Sequence, residues 1–162
     1  HISDIPHVQL TRYRIDPKAE DGSEVTESSL GGYSSELPRV HPSREGFPYR
    51  YAYTVSATPF APHGLFSAIA RIDVDTQQTL LRDFAPGIPG EPVMVPRPGS
   101  SDETDGWILT VVYHGSAHRS ALYILDARDL STVCVAELPH HIPPGFHGNW
   151  VSSPDCPPGW SS

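Results

Sequence analysis

The sequence predicts an all-β fold of consecutive antiparallel meanders, the pattern of propeller blades. Three observations lead there. Short runs alternate apolar and polar residues with a period of two. Eighteen prolines and thirteen glycines fall between the apolar runs, as turn punctuation. No stretch keeps a helical period over about eleven residues. Ser120 to Leu130 comes nearest, but Leu122-Tyr123-Ile124 followed by Asp126-Ala127-Arg128-Asp129 suits a strand and then a turn.

Taken in order, residues 7–15 alternate as a half-buried strand does, and residues 24–30 can pair back across a turn at Asp21-Gly22. Glu36-Leu37-Pro38-Arg39-Val40-His41-Pro42 follows a loop. Residues 49–57 alternate again, with Tyr49, Tyr51, Tyr53 and Val55 on one face. Strands are predicted at 66–74 and 79–84, joined by Asp75-Thr76-Gln77-Gln78. Residues 87–92 form a turn-rich link that carries Glu91. Val93-Met94-Val95 is a short strand. Ser101 to Asp105 is acidic and reads as a solvated face. Trp107 to Tyr113 is nearly continuous in apolar residues, the mark of a strand buried on both faces. Strands at 121–127 and 132–138 complete a four-stranded meander with 93–95 and 107–113. Strands 49–57, 66–74 and 79–84 supply most of another.

At 162 residues the chain can bury the core of one domain. Eleven Lys plus Arg against nineteen Asp plus Glu give a formal charge of −8, which argues against a nucleic-acid partner. No apolar run approaches the roughly 20 residues of a membrane helix. The start has no signal-peptide pattern, which favours a cytoplasmic setting. The first residue is His1 and strand-like pattern follows almost at once, so the chain reads as a piece of something longer. Cys134, inside Val133-Cys134-Val135-Ala136, is expected to be an inert core thiol. Its pairing with Cys156 is left open.

One stretch invites a chemical reading: Pro143-Pro144-Gly145-Phe146-His147-Gly148-Asn149-Trp150. The prolines fix the backbone ahead of the histidine and remove two donors. Gly145 and Gly148 allow angles or approaches that a side chain would forbid. His147 is thus held at a defined place between Phe146 and Trp150. Metal ligands are presented in this way, and so are some buried structural histidines.

Four blocks resemble a known family. They are Glu36-Leu37-Pro38-Arg39-Val40; Gly90-Glu91-Pro92-Val93-Met94-Val95-Pro96-Arg97 with Asp105-Gly106-Trp107-Ile108-Leu109; Ser120 to Ala127; and Leu138-Pro139 through Trp150. Their order and spacing resemble the C-terminal third of the carotenoid cleavage oxygenases, over roughly residues 7–151. The resemblance implies about two C-terminal blades of a seven-bladed β-propeller. It implies residues 1–151 as that part and 152–162 as a tail outside the family pattern. It further implies a non-haem Fe(II) on the propeller axis, held by four histidines, with three glutamates one shell out. His147 matches the last ligand, and Glu36 and Glu91 match two of the glutamates. The other three histidines and the third glutamate would lie upstream. None of the remaining eight histidines, including His41, His114, His118, His140 and His141, matches a ligand motif; each reads as a solvated or capped polar residue.

The implied activity is oxidative cleavage of a C=C bond of a carotenoid, apocarotenoid or stilbene-type substrate to carbonyl products. The implied partners are the missing N-terminal part of the propeller, an apolar alkene and O2. Membrane contact is left open. Phe146 and Trp150 are candidates to line such a site, while Trp107, Tyr113 and Tyr123 read as core. Two other readings stand beside this one: a truncated, metal-free and inactive propeller fragment, and a free-standing β binding module.

Overall fold

The computed structural model describes residues 8–19, 25–31, 33–59 and 66–152. Regular structure among them is strand, apart from a 3-10 turn at Pro42–Arg44. Strands β1 (Thr11–Ile15) and β2 (Val25–Ser29) form an antiparallel hairpin. Its predicted turn at Asp21-Gly22 lies outside the described residues, as do His1, His7, His63, Cys156 and the tail from 153 onward.

Two antiparallel meanders follow. The first runs β3 (Ser35–Arg39), β4 (Tyr51–Ser56), β5 (Ala68–Asp73), β6 (Thr79–Asp83) in sequence order. The second contains β7 (Ile88–Pro89), β8 (Val93–Pro96), β9 (Gly106–His114), β10 (Arg119–Asp126) and β11 (Thr132–Glu137). Both β7 and β8 lie along the edge of β9 away from β10: Ile88 faces Tyr113 and Val93 faces Leu109. Together they are one first strand, broken at Gly90-Glu91-Pro92. The sequence alone makes 87–92 a link throughout, because two residues carry no visible period.

The meanders pack face to face. Tyr53, Val55, Ile69 and Phe84 of the first meet Met94, Ile108, Val112 and Leu125 of the second. Tyr53 is completely buried, and its hydroxyl crosses the interface to donate to the Ala127 carbonyl at 2.9 Å. On the opposite face of the first meander, Ala52, Ala70 and Ile72 pack under Leu10 and Leu30 at the base of the hairpin. The central strand β4 is therefore buried on both faces, rather than on the single tyrosine face expected.

Three further expectations are corrected. β1 is not a half-buried strand throughout: Tyr13 and Ile15 are exposed, since no third strand covers the ribbon within the described residues. β9 is not buried on both faces: Ile108, Thr110 and Val112 are buried, while Trp107, Leu109, Val111 and Tyr113 are half-buried. Cys134 is not a core thiol. It is exposed on β11, the outermost strand of its sheet, every residue of which is exposed. Apolar composition marks a strand; it does not say how far out in the sheet that strand lies.

The acidic loop is also more than a solvated face. Glu103 Oε2 accepts the backbone N–H groups of Arg50 and Tyr51 at the start of β4, and Asp105 pairs with Arg97 and Arg128. Asp73 works in the same way at the end of β5. Its Oδ2 accepts from Arg50 Nε and Nη2 at 3.0 and 2.8 Å, and its Oδ1 accepts from the Asp75 and Thr76 amides. The Arg50 hydrogen bond, opposed by burial, holds its pKa down at about 2. An unfolded aspartate titrates near ~3.9. The ionised side chain therefore contributes its full stability above that value and loses it as the pH falls toward the folded pKa. The gap in urea midpoint between the wild type and Asp73→Asn should close between about pH 6 and pH 2. A gap independent of pH would show that the charge contributes nothing.

Candidate functional site

The first strand of each meander is irregular, and each irregularity carries one of the sequence-predicted glutamates. In β3 the register runs Glu36 opposite Val55 and Arg39 opposite Tyr53, so three steps on β3 match two on β4. That is a bulge of one extra residue. It accommodates Pro38, which cannot donate to a ladder, and Leu37, whose φ is 53°. In the second meander the break at Gly90-Glu91-Pro92 frees Glu91 from the ladder, while Gly90 on its N-terminal side stays tied to Val111 and Thr110.

Residues 139–150 fold back over the half-buried face of β9 and β10. Ser120, fully buried, holds the start of this segment. Its carbonyl accepts from the Leu138 amide, and its hydroxyl oxygen accepts from the Ile142 amide at 2.9 Å. The segment then passes beside the Glu91 break. His147 Nδ1 lies 3.1 Å from Glu91 Oε1, and the Gly148 amide donates to Glu91 Oε2 at 2.7 Å. The Glu91 side chain is only 5% exposed, whereas His147 is 76% exposed. Burial raises the Glu91 pKa, but the Gly148 amide, His147 and Arg39 outweigh it, and the carboxyl rests below its ordinary value. A carboxylate at Nδ1 selects the tautomer protonated there and leaves the Nε2 lone pair open to solvent.

Glu36, Glu91 and His147 all line one cavity of about 460 Å³, whose walls include Val55, Phe66 and Leu109. Phe146 and Trp150 line it as well, yet both rings are mostly exposed. Glu36 is exposed, and its side chain makes no hydrogen bond or ion pair among the described residues. Gly145 and Gly148 do not need to be glycine for this chain's own packing. Neither has positive φ; a Cβ at 145 would meet nothing and one at 148 only Val93 at 3.8 Å.

The remaining described histidines lie elsewhere. His41 is not solvated: it is buried, and its Nδ1 caps the 3-10 turn by accepting from Ser43. His118 shares a hydrogen bond with Tyr113 and stacks on His141, and His114 bonds to Tyr123. Tyr123 is half-buried and packs against the core beside Phe84, as well as meeting His114. Tyr113 is a half-buried partner of His118 rather than core, and Trp107 is half-buried beneath Arg97. No group of three or more His, Cys, Asp or Glu among the described residues could hold a metal ion. No helix of the described residues is long and apolar enough to cross a membrane.

Residues 3–152 match the family model of retinal pigment epithelial membrane protein. The chain belongs to this family, the carotenoid cleavage oxygenases. It is 41% identical over 148 residues to the apocarotenoid-15,15'-oxygenase of Synechocystis, which covers 90% of this chain and 30% of that enzyme. It is 31% identical to resveratrol cleavage oxygenase 1 of Aspergillus fumigatus, across 92% of this chain and 33% of that one. Among solved structures, cobalt-substituted Synechocystis apocarotenoid oxygenase superposes with a TM-score of 0.87 at 38% identity, covering 94% of this chain and 32% of that one. The chain thus spans about a third of the length of these family members. Its two meanders are neighbouring blades of a β-propeller fragment.

Arg39 was missed as a site residue by sequence reasoning. It reaches the same glutamate from the other blade, with Nε 2.9 Å from Glu91 Oε1. The signal available was an arginine three residues after Glu36 with Pro38 between them, a pattern that a regular strand would not place on one face.

Proposed function

We propose that the chain is the C-terminal part of a non-haem Fe(II) dioxygenase that cleaves a C=C bond of a carotenoid, apocarotenoid or stilbene-type substrate. One observation carries this reading: a buried, ionised Glu91 holds His147 by Nδ1 and leaves Nε2 free beside an apolar cavity. That is how a protein presents an imidazole to a metal. The donor set fits one ligand position, His147. A single histidine does not hold iron, so the other ligands come from outside the described residues. When bound, Fe(II) supplies activation of O2 for insertion across an alkene. Glu91 fixes the tautomer and ring orientation of His147. Glu36, at the rim of the same cavity, awaits a histidine from the rest of the propeller. Val55, Phe66 and Leu109 keep the cavity wall apolar and favour an apolar substrate.

The test is a graft. Residues 3–152 replace the matching third of Synechocystis apocarotenoid oxygenase, and metal content and apocarotenoid cleavage are measured. The graft is expected to keep both. Glu91→Gln within it should be a graded defect, about 10–100-fold in metal affinity or activity, because an outer carboxylate tunes a ligand without being one. A graft that folds and binds metal equally well with or without Glu91 and His147 would remove both from the site.

A further inference from the structure

The geometry points to Arg39 as a positioning residue for His147, acting through Glu91 and across the two blades; the inference rests on the metal-ligand reading of His147. Glu91 Oε1 accepts from two donors, His147 Nδ1 and Arg39 Nε. Oε2 accepts from the Gly148 amide and from Arg39 Nη2 at 3.3 Å. The guanidinium thus grips both carboxylate oxygens as a planar fork. The same Nη2 also donates to the Gly148 carbonyl. Arg39 therefore holds the glutamate and the backbone that follows His147 in one grip.

This grip exists because of the β3 bulge. In a regular strand residues three apart point to opposite faces. The extra residue returns Arg39 to the parity of Glu36, since both lie opposite residues of the interface core, Val55 and Tyr53. One strand irregularity thereby delivers Glu36 to the cavity rim and Arg39 to Glu91. Arg39 and His147, plus the Gly148 amide, leave the Glu91 carboxylate little freedom to rotate. A single ring orientation of His147 is the consequence. Without Arg39 the carboxylate would keep its contacts with residues 147 and 148 but lose its anchor to the neighbouring blade.

The test uses the holoprotein and its metal-free form. Three variants are compared: Arg39→Gln, Arg39→Lys and, as a control on an ion pair outside the site, Arg50→Gln. In the metal-free protein, proton–nitrogen NMR reads the His147 tautomer. Arg39→Gln should turn a single Nδ1-protonated form into a mixture. Co(II) affinity should fall about 10-fold or more, as for other groups that orient a ligand from outside. Arg39→Lys should fall in between, since it restores the charge but not the fork; it is read alone if Arg39→Gln does not fold. Arg50→Gln should change neither readout. Wild-type tautomer and affinity in the Arg39 variants, while Glu91→Gln alters both, would overturn the inference. If His147→Ala leaves Co(II) affinity untouched, the metal reading fails, and the tautomer in the metal-free protein still decides the role of Arg39.

Discussion

Replacing His147 with alanine in the complete propeller is expected to remove metal and activity together. Its imidazole presents a free Nε2 beside the cavity, and the buried carboxylate behind it has the geometry of an outer-shell partner. On the proposed reading of His147 as a ligand and Glu91 as its orienter, the defect should pass the upper end of the roughly 100-fold expected for Glu91→Gln. Metal content by elemental analysis and turnover on an apocarotenoid, measured on the same preparation, check this. Full metal with full turnover would take His147 out of the site.

Gly106→Ala is expected to be the most damaging single methyl in the described structure, by about 3 kcal/mol. Gly106 starts β9 opposite Pro96. A Cβ there would collide with the Val95 carbonyl oxygen and come within 2.8 Å of Met94 Cε. Met94 could swing away; a backbone carbonyl in a strand ladder cannot. The strain would push the Pro96 end of β8 off β9. Gly145→Ala, with open space around its Cβ, should change stability by no more than about 0.5 kcal/mol. Urea unfolding of the two variants compares them directly, and equal midpoints would show that the close approach at 106 is relieved elsewhere.

Strand positions were legible wherever side chains alternate or stay apolar over five or more residues, as in β4, β5, β9 and β10. What the alternation could not show was which neighbours would cover each face. Trp107 and Leu109 look as buried in the sequence as Ile108, yet Leu109 faces a cavity and Trp107 lies half-buried under Arg97. Cys134 sits among valines, yet its strand is the outer edge. Glu36, Glu91 and His147 were legible only through motifs, because 55 and 56 residues of chain separate each from the next. The structure brings all three to one cavity and pairs two of them. Arg39 was hidden for a different reason: its direction depends on a bulge, and a bulge leaves no period to read.

The grip on Glu91 has a kinetic consequence. It joins residues 52 and 109 positions apart, Arg39 with Glu91 and Arg39 with Gly148. The hairpins of each meander close over far shorter loops. Contacts of long separation must wait until the intervening chain has been ordered or its closure entropy overcome. Both blades can therefore form their ladders before the segment around residue 148 docks, with Arg39 and Glu91 already facing each other. The histidine then docks onto a carboxylate set in place ahead of it. Pulse-labelled hydrogen exchange during refolding should accordingly find the β9 and β10 amides protected before the amide of Gly148; the reverse order would mean that the His147 segment nucleates the second blade.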